Sequence, residues 1–248
     1  RVLGLISSQG DNIHSRSGLA LRVVALMDRS GYLLRPEGLS SDELEAAVFA
    51  KENGRPLASL GNVRQGDAKA ALEHVFTYRF VRPVVIDATD DPGMAPALVL
   101  ARSAGSDLVT ANKGPLADSA IHYQALMKPG ANLTRAEATV GAGLPILDTL
   151  AMLVATGDTL ARIEGSLSGT LGFVLDQMDA DLSLSAAVKQ AVSLGYTEPD
   201  PCVDLSGSDV LRKAIILSRM AGWEIDEANI SLEGFVSGIE QGMSTEQM

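Results

Sequence analysis

Short hydrophobic runs alternate with longer helical stretches through the first half of the chain. The apolar run at residues 83–89 precedes a helical stretch at 93–104. The run at 107–111 precedes another at 115–127, which has proline at its first turn. Such alternation predicts an α/β fold built on a doubly wound parallel sheet. Because ligands on these sheets bind at the carboxyl ends of the strands, we expect a site there.

From about residue 136 the pattern becomes less regular. It predicts a helix at 146–155 and two further helices between residues 169 and 195. Single strands are expected at 162–168 and 230–238. This mixture predicts an α+β second domain, with the domain boundary near residue 136. The expected domains are residues 1–136 and 137–248.

An acidic, proline-containing loop interrupts the helices at residues 195–213. Pro199 and Pro201 predict a rigid, non-helical connector over residues 197–201. Such a loop favours a polar substrate that carries an ammonium group. The carboxylates of this stretch are Glu198, Asp200, Asp204 and Asp209.

The same stretch runs into an amphipathic helix, for which Ser206 or Ser208 is the expected N-cap. Asp209 and Lys213 are four residues apart, so both side chains emerge on one face of that helix. Alone, such a pair is typical of a solvated surface helix. The acidic loop before it favours a functional site instead.

Polar side chains follow the expected strands at their carboxyl ends. Lys113 follows the strand at 107–111 in a tight turn, Thr89 ends another strand, and Asp28 ends a third. An acid in this place commonly binds a ribose hydroxyl, whereas a following arginine, here Arg29, suits a 2′-phosphate. Asp28 and Arg29 therefore leave NAD and NADP both open.

The glycine-rich turn at residues 140–145 contains only G-x-G, and the chain has no complete G-x-G-x-x-G fingerprint. Because the chain opens inside a helical pattern, we expect that fingerprint immediately before Arg1. The turn itself is expected to expose backbone carbonyls that could bind a hard cation.

Composition excludes several classes of function. The net charge of −11 argues against nucleic acid and anionic membranes as partners. Because Cys202 is the single cysteine of the sequence, an internal disulfide is excluded. The three histidines are scattered along the chain, so a histidine-based metal site is not expected. No apolar run is long enough to span a bilayer, and no signal peptide opens the chain. A cytoplasmic protein is expected.

Four motifs together resemble the homoserine dehydrogenase family. They occur in the family's order and cover most of the chain. The resemblance implies a Rossmann-like cofactor domain joined to a substrate domain. It also implies NAD(P)-dependent interconversion of L-homoserine and L-aspartate 4-semialdehyde, in the biosynthesis of threonine, methionine and isoleucine. The motifs are LVTANKGPL at 108–116, EATVGAGLPI at 137–146, GSLSGT at 165–170, and LGYTEPDP with DLSGSDVLRK between residues 194 and 213.

The resemblance also implies roles for individual residues. Lys213 and Lys113 match the two active-site lysines. The matches to the substrate site are Glu198, Asp204 and Asp209. The matches to the cofactor site are Thr89, Lys113, Gly195 and Glu198. The main-chain carbonyls of Glu137, Val140, Ala142 and Leu144 match a monovalent-cation site, usually described as sodium.

Other consequences of the resemblance concern assembly and completeness. A homodimer is implied, and the first domain is expected to be N-terminally truncated, with later cofactor-domain elements also missing. Two other hypotheses stay open at this point. One is a different NAD(P)-dependent amino-acid dehydrogenase, and the other is a truncated paralogue that binds an amino acid or a partner subunit without catalysis.

Overall fold

The chain forms two compact units. The structure, a computed structural model, describes residues 1–197, 200–225 and 230–236. The first unit comprises Arg1–Val85 and Pro96–Asp107. The second comprises Ile86–Ala95 and the chain from Leu108 onward. The expected boundary near residue 136 stays a prediction.

Helices dominate both units. In chain order the α-helices are α1 (Val2–Ser17), α2 (Ser41–Glu52), α3 (Ala68–Phe76), α4 (Ala95–Ser103), α5 (Gly114–Ala117), α6 (Ala120–Met127), α7 (Ile146–Ala155), α8 (Gly169–Asp179), α9 (Leu184–Leu194), α10 (Pro201–Leu205) and α11 (Ser208–Met220). The strands are β1 (Ala25–Asp28), β2 (Gly31–Leu34), β3 (Val84–Asp87), β4 (Asp107–Thr110) and β5 (Thr134–Arg135). No helix in the described ranges is long and apolar enough to cross a membrane.

The strands form two sheets. β1 and β2 make an antiparallel hairpin, whereas β3, β4 and β5 form a sheet in that order. β4 and β5 are parallel, with Leu108 opposite Thr134 and Val109 opposite Arg135. This parallel pairing agrees with the fold that the alternating pattern predicts.

In the first unit, Asp28 closes the β1–β2 hairpin. Its Oδ1 accepts hydrogen bonds from the backbone N–H (2.8 Å) and the hydroxyl (2.6 Å) of Ser30. Its Oδ2 accepts from the backbone N–H of Leu57 at 2.9 Å and pairs with Lys51. Burial alone would raise the pKa of Asp28, but these donors outweigh it and lower the pKa to about 2.

In the second unit, α8, α9 and α10 pack around a small apolar core. Its buried members are Val174, Ala187, Val188, Ala191 and Leu205. The predicted pair of helices between residues 169 and 195 is thereby confirmed, as is the predicted helix at 146–155. This core fixes the end of α10, from which the chain enters α11.

The predicted helix at 115–127 is divided in two. α5 ends at Ala117 and α6 begins at Ala120. Ser119 adopts an extended conformation, and its hydroxyl accepts a hydrogen bond from the backbone N–H of His122. A side-chain cap of this kind starts a new helix. The prediction of one continuous helix, which rested on an unbroken apolar period, was therefore wrong.

The loop before α11 also differs from the prediction. α10 begins at Pro201, where proline is tolerated because the first helical N–H needs no intrahelical acceptor. The N-cap of α11 is Gly207, with φ of 78°, and not either of the serines around it. Glycine adopts this left-handed conformation without the steric cost of a Cβ atom.

Three predicted strands are shorter or missing. The strand predicted to end at Asp28, which the hydrophobic pattern extends over residues 19–28, is formed only by Ala25–Asp28. Residues 162–168 form no strand, since within the described residues they pair with no neighbouring strand. Residues 230–236 also form none, and the rest of the predicted strand at 230–238 lies outside the described residues.

Replacing Asp28 by asparagine should loosen the first unit in a pH-dependent way. Because the folded pKa is about 2 and the ordinary value is 3.8, ionised Asp28 stabilises the fold above pH 3.8. That contribution, about 1–2 kcal/mol, is lost as the pH falls towards 2. Hydrogen exchange should show weaker amide protection over residues 25–60 in Asp28→Asn at pH 7. Exposed Asp11→Asn is the control, and equal protection in both variants would contradict this account.

Candidate active site

A buried carboxylate, Asp209, lies between two lysine ammonium groups in the second unit. Its side chain is only 4% exposed. Lys213 Nζ lies 2.6 Å from Oδ2, and Lys113 Nζ lies 3.1 Å from Oδ1. The predicted pairing of Asp209 with Lys213 is therefore present, and Lys113 joins it from a distant part of the sequence.

The local backbone explains why these three side chains meet. Asp209 and Lys213 are separated by one turn of α11, so they share a face. Lys113 is the N-cap residue of α5, a helix of a single turn. Lys213 Nζ also donates a hydrogen bond to the carbonyl oxygen of Leu167 at 2.7 Å. The Lys213 ammonium is thus held from two sides.

The charges around Asp209 favour its ionised form. Burial alone would raise the pKa of Asp209, but the hydrogen bond from Lys213 and the positive charge of Lys113 hold the pKa below its usual range. The cluster of one carboxylate and two ammonium groups carries a formal charge of about +1 near neutral pH. The cluster therefore favours an anionic group, or an oxygen on which negative charge develops.

A buried asparagine fixes the turn that carries Lys113. Asn112 Nδ2 donates to Asp87 Oδ2 at 3.1 Å and to Thr89 Oγ1 at 3.1 Å. Asn112 Oδ1 accepts the backbone N–H of Gly114 at 3.1 Å. Since one side chain binds the loops after β3 and β4, it holds Thr89 and Lys113 on connected segments.

Gly114 is required in this turn for steric reasons. A Cβ atom at this position would lie 2.6 Å from the Cα atom of Pro92. No ordinary carbon contact is that short, so a larger residue would displace the loop.

A polar cleft of about 520 Å³ opens beside the lysine cluster. Its volume suits a small polar metabolite. Asp204, only 3% exposed, lines this cleft together with Asp209 and Lys213. The other described residues that line it are Ser168, Gly169, Thr170, Phe173, Tyr196 and Thr197.

Two further elements line the cleft. The first turn of α8 contributes Ser168, Gly169 and Thr170. The Thr170 hydroxyl donates to the carbonyl oxygen of Tyr196, and the Phe173 and Tyr196 rings meet edge to face at 5.1 Å. The positive end of a helix dipole favours anions, so this side suits a carboxylate.

The other residues predicted for the substrate and cofactor sites lie in different parts of the structure or outside the described residues. Glu198 lies outside the described residues. Gly195 ends α9 in the left-handed conformation, with φ of 71°. Thr89 is exposed, and its hydroxyl donates to Asp87 Oδ1 at 2.8 Å. Asp28 and the exposed Arg29 belong to the first unit.

The glycine-rich turn that is predicted to bind a cation, together with Glu137 before it, also has a structural role. The Glu137 carboxylate accepts the backbone N–H groups of Leu147 and Asp148 and so caps α7. The Leu144 carbonyl accepts the N–H of Ile146 at 2.9 Å, and Ala142 has a φ of 52°. A cluster of histidine, cysteine and acidic side chains suited to a metal is absent from the described ranges.

Sequence reasoning missed several residues of this site. Asn112 precedes Lys113, yet a polar residue in a turn gave no sign of being a buried clamp. Thr170 and Tyr196 fell inside motifs without a role of their own. Each was detectable only by its proximity to the described lysine cluster or cleft, which brings together segments far apart in sequence.

Comparisons with known proteins agree with this geometry. Residues 145–247 match the family model for homoserine dehydrogenase. The chain is 32% identical over 237 residues to a bifunctional aspartokinase/homoserine dehydrogenase of Haemophilus influenzae, covering 94% of this chain and 28% of that protein. It is 45% identical over 155 residues to a homoserine dehydrogenase of Paracoccidioides brasiliensis, covering 58% of this chain and 42% of that protein. The chain thus spans less than half the length of either relative.

Solved structures show the same relationship. A hyperthermophilic archaeal homoserine dehydrogenase in complex with NADPH is 26% identical, with a TM-score of 0.70. The match covers 87% of this chain and 66% of that one. It supports the predicted fold of a partial Rossmann-like domain followed by a second domain. Residues 145–247 thus match the homoserine dehydrogenase family model, and the chain is similar in sequence and in fold to homoserine dehydrogenases.

Proposed function

We propose that this chain supplies the homoserine side of an NAD(P)-dependent active site that interconverts L-homoserine and L-aspartate 4-semialdehyde. The observation that carries the proposal is the buried Asp209 carboxylate paired with Lys213 and Lys113 beside a polar cleft. Such an enzyme belongs to the biosynthesis of threonine, methionine and isoleucine.

Lys213 has the chemistry that the reaction requires. Reduction of the aldehyde leaves negative charge developing on its oxygen, which an ammonium group stabilises and then protonates. In the reverse direction the neutral amine accepts the proton of the alcohol. Asp209 and the Leu167 carbonyl hold the Lys213 side chain in place, so little reorganisation is needed.

The substrate's two charged groups find complementary surfaces in the cleft. Its ammonium group would bind the carboxylate of Asp204, with Glu198 proposed as a second acid from outside the described residues. Its carboxylate would bind Lys113 or the first turn of α8. Because both ends are fixed, the reacting carbon is presented to Lys213 in one orientation.

The residues present also fit a nicotinamide cofactor. Thr89 and Lys113 follow β3 and β4 at their carboxyl ends, where open sheets bind nucleotides, and Asn112 joins their loops. When bound, the nicotinamide supplies or accepts the hydride. Gly195, Glu198, Asp28 and Arg29 are proposed as further contacts. The Asp28 carboxylate, which already accepts hydrogen bonds from Ser30 and Leu57, would also accept one from a ribose hydroxyl.

Four further proposals follow from the family resemblance. Residues 1–136 would form the cofactor domain and 137–248 the substrate domain. The carbonyls of the turn at 137–144 would bind a monovalent cation such as sodium. A homodimer and a cytoplasmic location complete the proposal. The carbonyl ligands proposed for the cation are those of Glu137, Val140, Ala142 and Leu144.

Replacing Lys213 by alanine should lower kcat by about 100- to 10,000-fold, because the general acid is lost. The measurement is NADPH oxidation with aspartate semialdehyde by the full-length polypeptide that its gene encodes. Lys189→Ala, on the exposed side of α9, serves as the matched control. Undiminished turnover in Lys213→Ala would overturn the proposed role. No turnover by the wild type, with stabilisation by homoserine alone, would favour a non-catalytic amino-acid binder.

Replacing Asp204 by asparagine should act mainly on substrate binding. Loss of the carboxylate that faces the substrate's ammonium group should raise KM for homoserine about 10-fold or more, since a charged hydrogen bond is removed. The value of kcat should change much less than in Lys213→Ala. Steady-state kinetics over a range of homoserine concentrations give both values. A fall in kcat with KM unchanged would assign Asp204 to the chemical step instead.

Replacing Asp209 by asparagine should destabilise the second unit at neutral pH by about 3 kcal/mol, because two lysines lose their buried partner. The folded pKa lies below its ordinary value of 3.8, so the ionised form stabilises the fold above that pH. The difference between wild type and variant should therefore shrink as the pH falls below 3.8. Urea unfolding at several pH values measures it, with half-exposed Asp118→Asn as control. A pH-independent difference would refute this assignment.

A further inference from the structure

Arg219 connects the C-terminal end of α11 to the end of α5. Its Nη1 donates to the carbonyl oxygen of Leu116 at 2.6 Å and to that of Ala117 at 2.8 Å. Its guanidinium carbon lies 5.8 Å from the centre of the Tyr123 ring on α6. One side chain of α11 therefore touches both helices that flank the break at Asp118.

The break explains why the carbonyl groups of Leu116 and Ala117 need such a donor. The last carbonyls of a helix have no intrahelical N–H to accept, and α5 is only one turn long. A continuous helix over 115–127 would use these carbonyls internally. Because the chain instead restarts at Ser119, the Arg219 guanidinium takes the place of the missing donors.

α5 is consequently held by α11 at both of its ends. Lys113, the N-cap residue of α5, pairs with Asp209 in the first turn of α11. Arg219 binds the last residues of α5 from the final turn of α11. Two separated attachments fix a short element's direction as well as its position, whereas one would leave it free to pivot.

We propose that Arg219 is a positioning residue for the reaction: it orients α5 so that the Lys113 ammonium stays against Asp209. This inference rests on the proposed function of Lys113. Arg219 acts on the reaction through α5, by its hydrogen bonds to the Leu116 and Ala117 carbonyls.

The guanidinium group suits this role better than an ammonium group. Its N–H donors point in fixed directions, and the plane of the group can stack on an aromatic ring. The position of the Arg219 guanidinium is therefore well defined. Arg212, on the same helix, offers a contrast. It lies 3.7 Å from Asp118, with both side chains more than a third exposed. An exposed pair at that distance contributes little to position or stability.

Acylation of Lys113 by an amine-reactive reagent tests the proposal without requiring turnover. The full-length polypeptide is labelled as wild type, Arg219→Met, Arg219→Lys and the control Arg212→Met. Peptide mass spectrometry follows Lys113 against the surface lysines Lys69 and Lys189. Release from Asp209 should raise the rate of Lys113 labelling several-fold in Arg219→Met, less in Arg219→Lys, and not in Arg212→Met. The reference lysines should not change.

Kinetics on the same variants complete the test. Arg219→Met should lower kcat about 10- to 100-fold, as expected when a reacting group is displaced by about 1 Å. Unchanged Lys113 labelling, or equal increases at all three lysines, would overturn the positioning role. If Arg219→Met does not fold, the comparison of Arg219→Lys with wild type decides. If the wild type shows no turnover but Arg219→Met still speeds Lys113 labelling, the proposed function is refuted while the link between Arg219 and Lys113 is supported.

Discussion

A buried negative charge between two positive ones is the interaction on which the second unit depends. Asp209 is almost completely removed from solvent, and an isolated carboxylate there would be costly. Lys213 meets it from one turn away on α11, and Lys113 meets it from the start of α5. Satisfying this charge therefore brings the start of α5, which follows β4, against the first turns of α11, along with the lysines proposed for catalysis.

The surrounding structure restricts how those lysines can move. Asn112 and Gly114 fix the turn before α5, Arg219 fixes its end, and the Leu167 carbonyl holds Lys213. These contacts tie α5, and the residues just before α5 and α8, to α11. The cleft is thus rigid where charge must be stabilised, which is what electrostatic catalysis requires.

Local features of the site could be predicted from sequence patterns, whereas a shared site for Lys113 and Lys213 was implied only by the family resemblance. The spacing of Asp209 and Lys213 places them on one helical face, and the structure confirms the pair. Nothing in local sequence indicates that Lys113 joins them, because only the fold brings distant segments together. The division between α5 and α6 was missed because Ser119 caps a new helix inside an unbroken apolar period. The N-cap at Gly207 depends on a left-handed backbone that neighbouring serines conceal.

The most direct test is the titration of Asp209 in the folded protein, followed by the ¹³C resonance of its carboxyl carbon. With both lysines paired to it, the carboxylate should stay ionised to a pH below 3.8, the ordinary pKa of aspartate. Replacing Lys113 by methionine should raise that pKa, because one of the two stabilising charges is gone. An Asp209 pKa at or above the ordinary value, unaffected by Lys113, would show that the three groups do not form a single charged cluster.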